Sequence, residues 1–538
     1  MRRILAAVLA IGAAAPAVAQ EVMGDEMPPI SYRVIGAAVH EKSIGELRAL
    51  LASGATTSVA LVQAYLARIE AIDRAGPTLR SVIAVSPDAL DQARAADRRR
   101  LTRKMPGLLE GIPVLIKDNI ETRELPTTAG SLALAANDTK RDAPLVALLR
   151  AEGAIILGKT NLSEWANIRS TSSMSGWSAV GGLVKNPYAL DRSACGSSSG
   201  SGAAVAASLA AVAVGTETDG SVVCPASMNG LVGLKPTIGL VSRTHVVPIS
   251  HSQDTPGPMG RSVKDVALLF SAMIGSDPAD AATASADQHR RNYAEGLSPD
   301  ALRGKRIGYW RPEMPADLSA AFDTALDRLR GAGATLVEVK MPELKGLGEA
   351  ELAVLKTELK ADLDAYLATT PTTVKTRTLE QVIAFNEAHR AAEMPFFGQE
   401  IFLDAVKTKG LDDPEYKAAR AKSLRLARQG LDEMMKSAGA ELLVTPTYGT
   451  PWLSDPAHGD QFSGPSASEL PAVSGYPHLT VPMGLVDGLP AGLSFIGAPW
   501  SDGLLLQAGY AYEQAAKARV VPGYLPTVAA DLGPRRAE

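Results

Sequence analysis

A chain of 538 residues, 46% hydrophobic and 21% charged, has the make-up of an ordinary globular protein. Collagen-like, disordered and disulfide-scaffold architectures are thereby excluded. Its 54 basic and 58 acidic side chains leave a formal net charge of −4, and no local basic patch offers a field for nucleic acid. At ~150 residues per domain, the length allows about three domains or one large single-core enzyme.

The N-terminus reads as a targeting segment. Arg2 and Arg3 precede an apolar core from Ile4 to Ala15, and Ala17-Val18-Ala19 supplies the small-x-small pattern of a signal-peptidase site. Residues 1–19 are expected to be removed after Ala19, giving an exported protein, periplasmic or secreted, with no stable membrane association. The stretch is short for a bilayer span, and no other segment approaches ~20 uninterrupted apolar residues. An uncleaved N-terminal anchor is the alternative reading.

A polar lead-in (20–42) is followed by helical patterns. Ser43 can cap a run with Ile44, Leu47, Leu50 and Leu51 on one face, ended by Gly54. Ser58 opens a longer one carrying Leu61, Val62, Tyr65, Leu66, Ile69 and Ile72. Residues 88–104 read as a charged, exposed helix. From Gly111, short apolar strands (Ile112–Ile116, Ala154–Leu157, Val212–Gly215) alternate with helices (Pro144–Glu152, Gly202–Ala210), which predicts an α/β protein around a largely buried sheet. Residues 281–440 read as a helical excursion or cap. It begins with a strand at Lys305–Tyr309, a helix at Leu318–Gly331 and a strand at Leu336–Val339, then continues in long charged helices such as 414–437. Strands resume at Glu441–Val444, His478–Pro482 and Leu493–Ile496, closed by a helix near 503–518. The expected main domain runs over 43–530, with a short tail at 531–538.

Two cysteines, Cys195 and Cys224, can form one disulfide in an oxidising compartment, but spacing alone does not decide it. The seven histidines are scattered and no cysteine or histidine cluster has zinc spacing. No metal and no cofactor are expected.

The density of small residues at 193–240 is the compositional anomaly of the chain. Cys195-Gly-Ser-Ser-Ser-Gly-Ser-Gly-Ala203 is a glycine–serine loop running into an Ala/Val helix. Gly215-Thr-Glu-Thr-Asp-Gly-Ser221 is a strand end turning to expose a serine. Upstream, Gly111-Ile-Pro-Val-Leu-Ile-Lys117-Asp-Asn119 sets a lysine at the end of an apolar strand, where an ammonium is expensive to bury unless paired or neutral. The loop lacks the lysine of a P-loop. Gly196-Ser-Ser198-Ser-Gly200 also satisfies the G-x-S-x-G elbow, but that elbow must follow a strand, and Asn186–Ser193 is rich in turn residues and charges.

Together with Ser221-Val-Val-Cys-Pro225, Asn229–Pro236 and Asp254-Thr-Pro-Gly-Pro258, these segments resemble the amidase signature family. The likeness covers nearly the whole chain from about residue 43, and the wording Cys-Gly-Ser-Ser-Ser-Gly and Thr-Glu-Thr-Asp-Gly-Ser is most similar to that of bacterial peptide amidases. It implies a single α/β domain: a mixed, twisted sheet covered by helices, with a helical insertion. Position by position it implies Ser221 as nucleophile, Ser197 as a bridging serine in a cis peptide, Lys117 as base, and the backbone amides of Thr218, Asp219, Gly220 and Ser221 as oxyanion donors. Glu217 and Asp219 depart from the commoner family wording, where aspartate and glycine are usual; Asp219 either restricts the acyl pocket or binds a peptide donor group.

The chemistry of that trio stands independently. A serine hydroxyl is a weak nucleophile until a neighbour takes its proton. A lysine can do so only when neutral, which desolvation favours, and a hydroxyl between them can accept one proton while passing on another. Taken singly, the serines also read as turn residues, Lys117 as a snorkelling strand-end lysine and the cysteines as small buried hydrophobes. Met174 and Trp177 read either as substrate-pocket residues or as core, and Tyr188 likewise. The expected activity is hydrolysis of carboxylic amides, of small molecules or of peptide C-termini, with release of ammonia and no obligate protein partner. The alternatives are the amidase subunit of a tRNA-dependent amidotransferase and a non-catalytic binding protein on the same fold.

Overall fold

The computed structural model describes residues 31–102 and 106–528; the expected signal peptide and the 531–538 tail lie outside them. Local signals set the first helices. Ser43 caps the helix Ile44–Ala52 through a reciprocal pair, Glu46 N–H donating to Ser43 Oγ at 3.2 Å and Ser43 N–H to Glu46 Oε2 at 2.9 Å. Thr57, rather than Ser58, caps Ser58–Arg68, accepting from Ala60 N–H at 3.1 Å. The charged helix is Ala89–Thr102.

Eleven strands form one mixed sheet. In chain order they are β1 (Val82–Val85), β2 (Pro113–Lys117), β3 (Ile155–Thr160), β4 (Val212–Glu217), β5 (Val232–Lys235), β6 (Thr255–Gly260), β7 (Arg306–Tyr309), β8 (Thr335–Glu338), β9 (Leu442–Pro446), β10 (His478–Val486) and β11 (Leu489–Gly497). Their spatial order is β1-β3-β2-β4-β6-β5-β10-β11-β9-β7-β8. The strands β3, β2 and β4 run parallel, as do β9, β7 and β8, while the centre is antiparallel.

Strands β2, β3 and β4 are buried along their whole length, as a sheet covered on both faces requires. Helices Val263–Met273, Ala316–Gly331 and Asp502–Ala516 pack on one another and on the sheet. The helix expected at Gly202–Ala210 is Ser199–Ala206, every residue of it buried, so it starts directly after the serine loop. Residues 306–338 belong to the central sheet as β7, a helix and β8; the all-helical part is Leu347–Ala438. Among the described residues, no helix is long and apolar enough to cross a membrane.

Candidate active site

Strands β2 and β4 are parallel neighbours, Ile116 opposite Val214, so both release their chains at the same edge, where open α/β sheets place ligand sites. Lys117 ends β2 and is fully buried. Its Nζ lies 2.7 Å from Ser197 Oγ, 2.8 Å from Thr216 Oγ1 and 3.3 Å from the Thr216 carbonyl. Asn119 Nδ2 donates to the same Thr216 Oγ1 at 2.9 Å. Burial draws the lysine down to about 7, against the opposing pull of Asp254 and Glu217. The lysine at the end of an apolar strand does not snorkel.

Ser197 follows a cis Gly196–Ser197 peptide and is buried, like Ser198. The two serine segments are stitched together. Ser198 N–H donates to the Ser221 carbonyl at 3.2 Å, Ser198 Oγ to the Thr216 carbonyl at 3.1 Å, and Ser198 Oγ accepts from Thr216 N–H at 3.2 Å. Ser163 N–H donates to the Ser197 carbonyl at 3.0 Å. With its hydroxyl so committed, Ser198 is a packing residue.

Cys195 and Cys224 form a disulfide, Cα–Cα 6.0 Å, which ties the residue two before Ser197 to the residue three after Ser221. They pack with Met228, Trp452 and Tyr448. The bridge spans 29 residues, for which loop-closure entropy gives about 3–4 kcal/mol. We expect a Cys195→Ala/Cys224→Ala double variant to lose stability of that order in urea unfolding.

The Ser221 turn is organised by Glu217, whose Oε2 accepts from Val222 N–H at 2.7 Å and Val223 N–H at 3.0 Å. Gly220 has φ 78°, and a Cβ there would fall 2.2 Å from the Tyr448 hydroxyl, so only glycine fits. Among the described residues, the backbone amides of Thr218, Asp219, Gly220 and Ser221 donate no hydrogen bond, and the Ser221 hydroxyl makes none. Ser221 is 8% exposed.

Partners that sequence reasoning passed over complete the turn. Thr218 Oγ1 donates to Asp254 Oδ1 at 2.6 Å; Asp254 also accepts from Ile249 and Ser250 N–H, and burial raises its carboxyl to about 6. Gln253 Nε2 donates to Glu351 at 2.7 Å and to the Thr218 carbonyl at 3.3 Å. Among the described residues, Asp219 Oδ1 is without a hydrogen-bond partner. Burial raises the carboxyls of Asp219 and Glu351, and the charge of Asp219 raises Glu351 further. Asp254 stands in one of the motif segments, but nothing in its spacing points at Thr218.

Met174 and Trp177 are buried with Phe397, and Arg169 lies over the Phe397 ring at 4.3 Å. Tyr188 is buried and its hydroxyl bonds the Val520 carbonyl, anchoring the C-terminal segment. Among the described residues, His251, Glu358 and Asp362 bring potential ligand atoms within 4.8 Å of one another. Glu358 already accepts from Ser252 Oγ at 2.6 Å and the Tyr416 hydroxyl at 2.7 Å, and the group knits the 250–252 turn to the helix Leu347–Ala368.

Fold and site together define an α/β hydrolytic enzyme. The chain belongs to the amidase family, whose model, described as Amidase, matches residues 60–506, and it is an amide-hydrolysing enzyme. It is 48% identical to the native peptide amidase from Stenotrophomonas maltophilia, with a TM-score of 0.85 over 90% of this chain and 98% of that one. A peptide amidase in complex with the competitive inhibitor chymostatin superposes with a TM-score of 0.88, at 48% identity over 90% and 99% of the two chains. A glutamyl-tRNA(Gln) amidotransferase subunit from Chloroflexus aurantiacus is 34% identical over 491 residues, 88% of this chain and 97% of that protein.

Proposed function

We propose that the enzyme deamidates C-terminal amides of peptides or amino-acid amides, through an acyl-enzyme on Ser221 and a Ser-Ser-Lys relay. The observation that carries the relay is the buried Lys117 amine, 2.7 Å from Ser197 Oγ and drawn to about 7. A neutral amine has two N–H donors and one lone pair. The Thr216 carbonyl and Thr216 Oγ1 suit the two donors, which leaves the lone pair to the Ser197 hydroxyl.

In the acylation step Ser221 Oγ bonds to the amide carbon, its proton passes to Ser197 Oγ, and the Ser197 proton passes to Lys117 Nζ. The four unengaged amides of residues 218–221 are suited to the developing oxyanion; one such donor is typically worth ~3 kcal/mol. The relay then runs backwards: the C–N bond breaks, its nitrogen takes the proton, and ammonia leaves. Water attacks the ester through the same relay, releasing the carboxylate and restoring Ser221. Catalytic hydrogen bonds of this kind are often long without substrate and tighten when it binds.

The substrate class rests on likeness to peptide amidases at 48% identity over 90% of the chain. Ammonia release from peptide amides, aryl amides and free glutamine tests it. Release from peptide amides above the other two is expected; preference for aryl amides or glutamine overturns it. The amidotransferase relatives support a second reading, a component of a transferase complex. We propose export instead, on the segment Arg2–Ala19, and the disulfide accords with an oxidising compartment. Sequencing the mature N-terminus from a periplasmic fraction separates the two.

A further inference from the structure

We propose that Tyr448, Trp452 and Phe462 form the subsite for the side chain of the residue that bears the scissile amide, and that the enzyme favours an aromatic or large aliphatic residue there. This rests on the peptide-amide reading above.

Three observations place an apolar wall beside the nucleophile. Tyr448 closes over Gly220, its hydroxyl sharing a 2.6 Å hydrogen bond with Ser468 Oγ. Trp452 packs on the Cys195–Cys224 bridge that joins the two serine segments. Phe462 meets both rings in T-shaped pairs, at centroid distances of 5.6 Å and 5.8 Å, yet remains 43% exposed. An open aromatic face costs hydration free energy unless something covers it, and aromatic faces next to a reacting centre bind flat or branched apolar groups well.

The wall is preformed, as specificity requires. Asp460 Oδ1 accepts from Trp452 Nε1 and from Ser175 N–H, both at 3.0 Å, and Asp460 Oδ2 accepts from Ser175 Oγ at 2.6 Å. Gly459, at φ +70°, lies so close to the Ser172 carbonyl that a Cβ would fall 2.7 Å from it. The loop carrying Phe462 is therefore held onto the 172–175 segment. The Asp219 carboxyl stands at the Ser468–Tyr448 end of this wall, where burial and then its charge raise the Tyr448 phenol, so the apolar group is offered the Trp452 and Phe462 rings beyond it.

The test is kcat/KM for the N-acetylated amides of phenylalanine, leucine and glycine, in the full chain and in Phe462→Ala and Phe462→Tyr. The wild type is expected to favour phenylalanine over glycine amide by about tenfold or more. Phe462→Ala should reduce that ratio about tenfold, and Phe462→Tyr should restore it. Melting temperatures of the variants confirm that each is folded. Hydrolysis of all three amides with a ratio indifferent to Phe462→Ala, or equal loss on all three, overturns the subsite alone. Aryl-amide hydrolysis with no ammonia from any of the three overturns the peptide-amide reading and the subsite with it.

Discussion

Replacing Lys117 by methionine is expected to lower kcat about a thousandfold or more with the fold intact. Methionine fills a fully buried, strand-end position with an apolar chain of similar length and leaves no charge to desolvate. Of the partners it abandons, the Thr216 carbonyl keeps the Ser198 hydroxyl as donor and Thr216 Oγ1 keeps Asn119 Nδ2. The wild-type rate should rise with pH through about 7, because burial draws the amine to that value and only its neutral form accepts a proton. The Met variant should lose that limb. Lys117→Arg is the discriminating companion: a guanidinium stays protonated, so it keeps the positive charge and forfeits the base. An active Lys117→Arg variant would mean that the charge, rather than proton acceptance, is what the site uses. The measurement is kcat between about pH 5 and 9 beside the melting temperature of each variant.

Why so much of this site can be read from residues alone, and some of it not, follows from the range of the forces. Ser43 announces its helix because the capping box closes within four residues. Lys117 stands out as a charge in an apolar strand, and Ser197 and Ser221 as serines in small-residue turns. Their juxtaposition across 80 and 24 positions is made by the parallel β2–β4 pair, which periodicity suggests but cannot register. Strand β6 escapes the sequence reading because Pro256 and Pro258 argue against a strand. Spaced by two, they present their missing N–H groups to one edge, and β5 pairs with β6 only at Met259 and Gly260. β7 and β8 look like part of a helical cap, since nothing local says which sheet a short strand joins. The Tyr448–Phe462 wall has no signature at all: residues 449–466 are dense in Gly, Pro, Ser and Asp, and their order comes from Asp460 reaching Ser175, 285 positions away.

Ser221→Ala should reduce turnover to a small residual rate, a loss of about 10^6-fold where a serine nucleophile is removed from an intact oxyanion site. The stability cost should be slight. The hydroxyl makes no hydrogen bond among the described residues, and the carbonyl that accepts Ser198 N–H is retained in alanine. Covalent labelling by a fluorophosphonate should vanish with it. Ser197→Ala should behave differently, labelling more slowly yet still labelling, because a water can stand between Ser221 and the Lys117 amine. The contrast separates a nucleophile from a relay. Labelling that survives in Ser221→Ala would move the nucleophile elsewhere. Ser198, the neighbour with an elbow-like setting, is poorly placed to take over: it is fully buried, with its hydroxyl donating to and accepting from the backbone of Thr216. To attack a carbonyl it would have to break both of its hydroxyl's bonds to β4.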